Sequence, residues 1–238
     1  MNIILILWDN ILDKLIGVLI SVLYFNRTKI YLFIQSLTRW NKDVRFSIAY
    51  LYQINFDNKY LLIQGHKIPG QYQPIGGVFK VLNSFSEVKN KYQIIFDDES
   101  RFYDDGDLRF ETKGKHVQNI IKWFNSKKNR EVNVIREFYE ELIETELLKS
   151  NCLFELKFEF LNKIESKIEY SEHFQKYEVK IFEIYNVILP EDIKQEIRQL
   201  IEQDNEKLKL VSADEIQKKC FTYKNKSYKI SEHSKYIL

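Results

Sequence analysis

Glycine, proline and cysteine are all scarce in this chain, and their scarcity excludes several classes of protein. The 238 residues include seven glycines, three prolines and two cysteines. Cys152 and Cys220 are far apart and form no C-x-x-C pair, so neither a zinc site nor a disulfide framework is predicted. A reduced, cytosolic setting for the folded part fits this usage. No glycine follows Gly114 and no internal repeat is visible, which predicts densely regular structure in the second half.

The chain also lacks a large excess of either charge. Its formal charge of +2 gives no basic footprint, so we expect no DNA or RNA polymer as a partner. The four histidines are scattered without the spacing of metal ligands: His66, His116, His173 and His233. With 45% hydrophobic residues, the chain is long enough for one sizeable domain with an appendage.

An acidic segment over Arg136–Glu144 is the most unusual pattern that is present. If it is an α-helix, four carboxylates share one face at i, i+3, i+4 and i+7, namely Glu137, Glu140, Glu141 and Glu144. Apolar side chains share the other face, namely Ile135, Phe138 and Leu142. Like charges so placed repel, and a divalent cation would offset the repulsion. The alternative is a solvated acidic face, because glutamate is a good helix former.

A glycine pair, Gly76-Gly77, interrupts the strand-like run Gln71–Phe79 upstream of this segment. Adjacent glycines let a backbone turn or approach a ligand where a side chain would clash. The glycine pair followed by R-E-x-x-E-E resembles the Nudix box, G-x5-E-x7-R-E-U-x-E-E-x-G-U. In that resemblance Gly77 is the first glycine, and the core of the box is Arg136, Glu137, Glu140 and Glu141.

The resemblance implies that Glu137, Glu140 and Glu141 hold Mg²⁺ or Mn²⁺ against a diphosphate, and that they are catalytic if the protein is an active hydrolase. The chain departs from the box in three ways. Fifty-eight residues separate Gly77 from Arg136, where the family has 13. The isolated glutamate of the pattern falls at Asn83 or Lys128, and the closing glycine is Ile143. These departures imply binding without turnover.

The N-terminal run from Ile3 to Phe25 has 17 apolar residues out of 23 and predicts a transmembrane helix. Its polar residues form a stripe that predicts a contact between helices in a homo-oligomer: Asn10, Asp13, Lys14, Gly17 and Ser21. The basic residues after it predict a cytoplasmic C-terminal domain. A soluble amphipathic helix packed on the domain is the alternative. A signal peptide is disfavoured, because no basic residue precedes Lys14.

The expected organisation is a transmembrane segment at 1–28, a juxtamembrane linker at 29–43 and a Nudix-like domain at 44–238 with an insertion at about 80–129. Period-2 patterns predict the strands Val44–Ile54, Tyr60–Gln64, Gln71–Phe79, Phe154–Ile168 and Tyr177–Leu189. Capping signals predict helices at Pro190–Glu202 and Ser212–Lys219, with Asn129 capping the box helix. The predicted fold class is α/β, a Nudix-like mixed sheet sandwiched between helices and preceded by one transmembrane helix.

Three segments together give a narrower resemblance: Arg45–Leu51 (R-F-S-I-A-Y-L), Tyr72–Lys80 (Y-Q-P-I-G-G-V-F-K) and Arg136–Leu142 (R-E-F-Y-E-E-L). With the N-terminal apolar segment, they resemble the SMODS-associated Nudix effectors encoded beside the CD-NTases of CBASS antiphage defence. The resemblance implies a receptor in the bacterial inner membrane. Its Nudix domain binds a cyclic oligonucleotide, and its membrane segment assembles and disrupts the membrane, which kills the infected cell.

The candidate ligand-binding residues combine the glycine pair with nearby cations: Gly76, Gly77, Arg45, Lys80, Arg130 and Arg136. For the cations the alternative is a surface charge or, for Arg136, a salt bridge to a box glutamate. Aromatic residues could stack on bases or belong to the core, namely Tyr50, Tyr72 and Phe79. Two other functions stay open: a membrane-tethered, Mg²⁺-dependent pyrophosphohydrolase and a non-catalytic scaffold.

Overall fold

The first predicted strand, β1, lies at the centre of the larger of two sheets and is buried on both faces. The computed structural model describes residues 2–65, 68–97, 106–145, 147–148 and 155–238, with side chains from residue 14 onward. Within these ranges the strands are β1 Asp43–Gln53, β2 Asn55–Phe56, β3 Lys59–Gln64, β4 Gln71–Gln73, β5 Gly76–Val78, β6 Ile95–Phe96, β7 Arg109–Lys113, β8 Lys157–Glu165, β9 Glu169–Ser171, β10 Lys176–Ile188, β11 Leu208–Ser212, β12 Cys220–Tyr223 and β13 Lys226–Ile230.

The helices in the same ranges are α1 Asn2–Phe25, α2 Arg27–Thr38, α3 Ser86–Lys91, α4 Val117–Asn125, α5 Ile135–Phe138, α6 Glu191–Glu202 and α7 Ala213–Lys218. Helix α5 continues directly into a π-helical turn, Tyr139–Ile143. Short 3₁₀ segments occur at Asn83–Phe85, Gly114–His116 and Glu232–Ile237. Helix α7 begins with the predicted capping box, in which the Ser212 and Glu215 side chains each accept a bond from the other's backbone N–H.

The larger sheet has the order β6-β7-β1-β10-β8, and its central pair, β1 and β10, is parallel. The other edge of β1 is divided between two antiparallel partners: β7 pairs with Asp43–Ser47, and β5 pairs with Ala49–Leu51. This division brings the glycine pair of β5 against the C-terminal half of β1. The smaller sheet has the order β11-β3-β4-β13-β12. The mixed α/β class is confirmed, although the strands form two sheets where one was predicted.

Aromatic side chains fill much of the core beneath these sheets. The three that were considered for stacking on bases are at most 1% exposed, namely Tyr50, Tyr72 and Phe79. The ring of Phe79 packs edge-on against the rings of Tyr50 and Phe124, with centroids 4.7 and 5.5 Å apart. The interpretation of these residues as core is therefore confirmed.

The single transmembrane helix predicted near the N-terminus is not supported. Among the residues with described side chains, no one helix is both long and apolar enough to cross a membrane. Lys14–Phe25 and Arg27–Thr38 together satisfy length and composition, but their axes differ by 66°.

The predicted helix-contact stripe is described only in part. Asn10 and Asp13 lie outside the described side chains. Lys14, Gly17 and Ser21 are exposed on α1, and the Ser21 hydroxyl donates a hydrogen bond to the Gly17 carbonyl oxygen (2.8 Å).

Most of the predicted linker is helical, since α2 covers residues 27–38. One side of α2 packs on the domain and buries Leu32 and Ser36, while other large apolar side chains of the helix remain exposed. This helix therefore joins the N-terminal segment to the domain by packing on the 3₁₀ segment Gly114–His116 and on α4.

Candidate functional site

The glycine pair of β5 lies so close to other parts of the fold that neither position has room for a side chain. A Cβ atom added to Gly77 would lie 1.8 Å from Cδ of Glu137, so the absence of a side chain lets the box carboxyl rest against the β5 backbone. Gly76 has φ +154° and a Cβ there would lie 2.2 Å from the backbone oxygen of Tyr50. The glycine pair and the acidic helix, which the sequence analysis placed together, are thus in direct contact. Such a close approach of two chain segments requires glycine.

The box helix differs from a regular α-helix in a way that changes which carboxylates share a face. Its α-helical part is only Ile135–Phe138, and the following turn is π-helical. Glu137, Glu140 and Glu141 line one cleft, whereas Glu144 is exposed elsewhere. The predicted cap is also wrong: the N-cap position is Val134, and the side-chain amide of Asn129 donates to Ser84.

Arg136 gathers the acidic residues of this site around one guanidinium group. Its Nε and a terminal nitrogen bind the Glu131 carboxylate (3.0 and 3.2 Å), and the other terminal nitrogen binds Glu137 (2.6 Å) and Glu140 (2.9 Å). It also donates to the Val78 carbonyl oxygen (2.9 Å). The repulsion that the sequence left unbalanced is offset by this arginine.

The surroundings of Glu137 alter its acidity. Burial raises the pKa of Glu137 from 4.5 to about 7, the charge and hydrogen bond of Arg136 oppose that rise, and the charges of Glu140 and Glu141 add to it. Near neutral pH the side chain is therefore divided between the charged and the protonated form.

This pKa predicts a pH-dependent cost of keeping Glu137 charged. Between pH 4.5 and 7 the folded protein binds more protons at this site than the unfolded chain, so stability falls as pH rises through that window. Glu137→Gln imitates the protonated form. Its free energy of unfolding, relative to the wild type, is expected to rise over this window by roughly 3 kcal/mol and to level off above pH 7. Urea denaturation of both proteins between pH 4.5 and 8.5 measures it, and a pH-independent difference would contradict the raised pKa.

The box carboxylates open into a cleft of about 680 Å³. The walls come from β1 and β5, the box helix, the β8–β10 region and the C-terminal 3₁₀ segment. Polar and charged lining residues are Arg45, Ser47, Gln73, Asp107, Arg109, Glu137, Glu140, Glu141, Thr145, Ser166, Glu169, Glu178, Lys180, Glu232, His233 and Lys235. The remaining lining residues are Ala49, Tyr50, Leu51, Pro74, Gly76, Gly77, Val78, Phe174, Phe182 and Tyr236.

Two of the predicted ligand-binding arginines are buried within the protein. Arg45 is 2% exposed, binds Asp97 (2.7 Å) and Glu178, and lies over the Phe174 ring at 3.8 Å. Arg130 is 1% exposed and pairs with Glu183 (3.3 Å). Its guanidinium lies 4.7 and 3.9 Å from the rings of Phe79 and Phe124. These hydrogen bonds and ring contacts hold the fold together around both arginines.

Not all of the predicted ligand-binding residues line the cleft. Gly76 and Gly77 line the cleft, whereas Arg130 and Lys80 are not among its lining residues. The Lys80 backbone pairs with Asp107 and Glu131 at the start of the segment after β5. Arg136 forms salt bridges to box glutamates, which is the alternative role that the sequence analysis gave for it.

Sequence reasoning missed the two lysines of the cleft. Lys180 has 47% of its side chain exposed and lies 3.3 Å from Glu178; Lys235 has 46% exposed and lies 3.6 Å from Glu232. Neither belongs to a motif. The parallel pairing of β1 with β10, in which Ser47 lies beside Lys180, brings the first of them to the cleft.

Part of the cleft wall beside these lysines is aromatic. The Phe182 ring stacks on His233 (centroids 5.9 Å apart, planes within 16°) and contacts Tyr236 (5.3 Å). Burial lowers the pKa of His233 to about 4, so its ring is neutral at physiological pH. The cleft therefore combines cations and apolar rings, the two kinds of group that bind phosphates and bases.

The donor chemistry of the three box glutamates suits Mg²⁺ or Mn²⁺, but their arrangement does not form a metal cage. Arg136 occupies one oxygen each of Glu137 and Glu140. Among the described residues, no group of three or more His, Cys, Asp or Glu side chains is placed to hold a metal ion. As arranged here, the site does not fit a resident divalent cation.

The family model of the SMODS-associated NUDIX domain matches residues 43–238, which is most of the chain and includes every element that forms the cleft. No curated protein and no solved structure matches the chain. The match begins where β1 begins, so the two N-terminal helices lie outside it. The chain therefore belongs to the SMODS-associated Nudix family.

Proposed function

We propose that this protein is a CBASS-associated effector whose Nudix-like domain binds a cyclic oligonucleotide in the cleft described above, and whose N-terminal helices then disrupt the bacterial inner membrane. Family membership suggests the effector role. The observation that carries the binding proposal is the cleft itself, in which backbone glycines, two lysines and aromatic rings surround one space.

The size and lining of the cleft suit a nucleotide ligand. Small-molecule sites commonly enclose about 300 to 1,000 Å³ and combine apolar walls with a few polar groups. The cleft has about 680 Å³, with Phe174, Phe182 and Tyr236 among its apolar lining. A ligand that has both phosphates and bases uses both kinds of surface.

The lysines provide the phosphate contacts in this proposal. The Arg45 and Arg136 guanidiniums are already held by two or more carboxylates each, so rebinding them to a phosphate would leave buried carboxylates unpaired. Lys180 and Lys235 each contact a carboxylate at more than 3 Å and keep almost half of the side chain exposed. Lys235 would leave an exposed carboxylate. The buried Glu178 that Lys180 would leave keeps its bond to Arg45, so the exchange costs little.

The N-terminal helices provide the proposed membrane action. Large apolar side chains on α1 and α2 are half exposed or more, among them Leu19, Phe25, Phe33 and Ile34. Trp40, which follows α2, is also half exposed. Such a surface fits lipid or a second copy of the chain. In this proposal the domain lies on the cytoplasmic side and the helices of several copies assemble in the bilayer.

A second candidate is a pyrophosphohydrolase that uses Mg²⁺ or Mn²⁺. It is favoured by one observation, the position of Glu137, Glu140 and Glu141 in the same cleft as Gly77. Metal binding in that case needs Glu137 and Glu140 to leave Arg136. The family pattern's isolated glutamate also has no counterpart at the expected positions Asn83 and Lys128.

Dye release from liposomes that contain the full chain tests the proposal. Cyclic di-AMP, cyclic di-GMP, cyclic GMP-AMP and cyclic tri-AMP are added singly, and we expect at least one of them to cause release. A linear diadenosine diphosphate serves as the comparison ligand and is expected to cause none. A variant lacking residues 3–25 is expected to bind the same cyclic nucleotide without releasing dye.

Two outcomes would contradict the proposal. If no cyclic nucleotide causes release while Mg²⁺-dependent cleavage of the linear compound is observed, the hydrolase is the better description. If neither activity is found, the protein is a scaffold and the cleft is not a nucleotide site.

A further inference from the structure

The short connection between β8 and β9, residues 166–168, faces the cleft at one end and α2 at the other. We call it the β8–β9 connection. Ser166 lines the cleft, and so does Glu169, the first residue of β9. Ile168 is 2% exposed and packs in the core. One short stretch of backbone is thus shared by the cleft and by the N-terminal helices.

Gln35 of α2 binds both polar backbone groups of Ile168. Its amide nitrogen donates to the Ile168 carbonyl oxygen (3.0 Å), and its amide oxygen accepts from the Ile168 N–H (2.9 Å). These two hydrogen bonds fix both the distance and the orientation of the β8–β9 connection relative to α2. Because the Ile168 side chain is buried, the connection cannot move far without α2 or without loss of both hydrogen bonds.

Two further contacts join α2 and its C-terminal end to the β8–β9 connection and to β10. The Lys167 ammonium lies 4.9 Å from the centre of the Tyr31 ring, and the Arg39 guanidinium lies 4.5 Å from that of Tyr177 on β10. Each is a cation–π contact. The connection and the neighbouring strand therefore contact α2 and the residue after it at several points.

On the other side, the connection is bonded to the strand that carries the cleft lysine. The Ser166 N–H donates to the Lys180 carbonyl oxygen (2.9 Å), and the Ser166 hydroxyl oxygen accepts from the Lys180 N–H (2.8 Å). A ligand that draws Lys180 or Ser166 toward a phosphate acts on the backbone that Gln35 holds. Only Lys167 separates Ser166, which binds Lys180, from Ile168, which binds Gln35.

We propose that the β8–β9 connection couples occupancy of the cleft to the position of α2, with Gln35 as the positioning residue for that coupling. The inference rests on the proposed function, since it needs a cleft ligand and an output at the N-terminal helices. A ligand can shift these helices only by its differential affinity for their two arrangements, and the coupling is reciprocal. Gln35 touches no cleft ligand in this proposal.

Hydrogen–deuterium exchange of the full chain in lipid nanodiscs, combined with equilibrium binding, tests the coupling. The probes are the same four cyclic nucleotides, added singly. In the wild type, a probe that binds is expected to change the exchange of amides at 27–38. In Gln35→Ala the same probe is expected to bind at least as tightly as in the wild type, because by reciprocity its binding no longer has to shift α2, while that exchange response disappears and dye release from liposomes falls by about tenfold. Thr28→Ala, on the exposed part of α2, is the matched control and keeps both responses.

Any other result of these experiments would contradict a specific part of the proposal. If Gln35→Ala retains both the α2 response and the dye release, the connection does not couple the sites. If Gln35→Ala loses probe binding and Gln35→Glu, which keeps the acceptor for the Ile168 N–H, does not regain it, Gln35 belongs to the fold of the cleft and the proposal is rejected. If no probe binds the wild type, the proposed function itself fails.

Discussion

Replacing Arg136 with alanine is expected to lower the free energy of unfolding at pH 7.5 by about 2 to 4 kcal/mol, because it removes the shared partner of three partly buried carboxylates. The variant leaves Glu131, Glu137 and Glu140 beside one another without the cation that now binds all three. Their mutual repulsion and partial burial then favour protonation. The deficit is therefore expected to shrink as pH is lowered toward 5.

Guanidinium chloride denaturation of the full chain in mild detergent, followed by tryptophan fluorescence, measures the effect of Arg136→Ala. Arg136→Lys keeps the charge but not the forked geometry, so an intermediate loss is expected. The matched control is Arg198→Ala, since Arg198 is exposed and contacts Asp57 and Glu191 at 3.5 and 3.6 Å; about 1 kcal/mol or less is expected there. A loss for Arg136→Ala no larger than for this control would show that the carboxylate cluster does not depend on the arginine.

The double substitution Lys180→Ala and Lys235→Ala is expected to weaken binding of the cyclic oligonucleotide by about 100-fold or more. A hydrogen bond to a charged group contributes roughly 1.5 to 3 kcal/mol and each 1.4 kcal/mol is tenfold in affinity, so two lost phosphate contacts account for this size. Both side chains are nearly half exposed, so the fold should tolerate their removal. Isothermal titration of each protein with the ligand gives the two affinities.

The chain offers a control with the same change of net charge for this double variant. Lys176 and Lys219 are exposed and contact Glu111 and Glu232, but they do not line the cleft. Lys176→Ala with Lys219→Ala should therefore bind almost as the wild type does. Equal losses in both double variants would mean that general electrostatic attraction, and not a site at Lys180 and Lys235, holds the ligand.

The contact between Gly77 and Glu137 was implied by the resemblance to the Nudix box, whose two parts are recognisable as local patterns although they are far apart in this sequence. A double glycine in a chain with seven glycines and an acidic helix with one basic residue each carry a recognisable signal. The strands β1 and β10 and the capping box at Ser212 also follow from local alternation and capping chemistry. Local rules succeed where short-range geometry decides the structure.

The same rules failed where distant parts of the chain meet. Lys180 reaches the cleft because β10 pairs in parallel with a strand far back in sequence, and no local pattern marks that pairing. Arg45 appeared to be available because its partners, Asp97 and Glu178, are 52 and 133 residues away. The π-helical turn that separates Glu144 from the other glutamates has no clear sequence signal either.

The N-terminal helices show a third limit to what could be predicted from the sequence. Hydropathy predicted one helix from Ile3 to Phe25, and α1 covers this range, but the chain then bends at Asn26 into α2, which replaces most of the predicted linker and packs one side on the domain. Leu32 and Ser36 are buried in that packing, and Gln35 binds Ile168, which is far along the sequence. The apolar content was visible in the sequence, but its division into a free and a docked helix was not.

An equilibrium titration of the wild-type chain with the four cyclic nucleotides, with chromatographic analysis of the same samples after incubation with Mg²⁺, is the most direct test of the receptor proposal. Saturable one-site binding of at least one of them, with the nucleotide recovered intact, is the predicted result. Loss of that binding in the Lys180 and Lys235 double variant would place it in the cleft. Recovery of cleaved nucleotide, or the absence of binding by all four, would contradict the assignment of this cleft to ligand sensing.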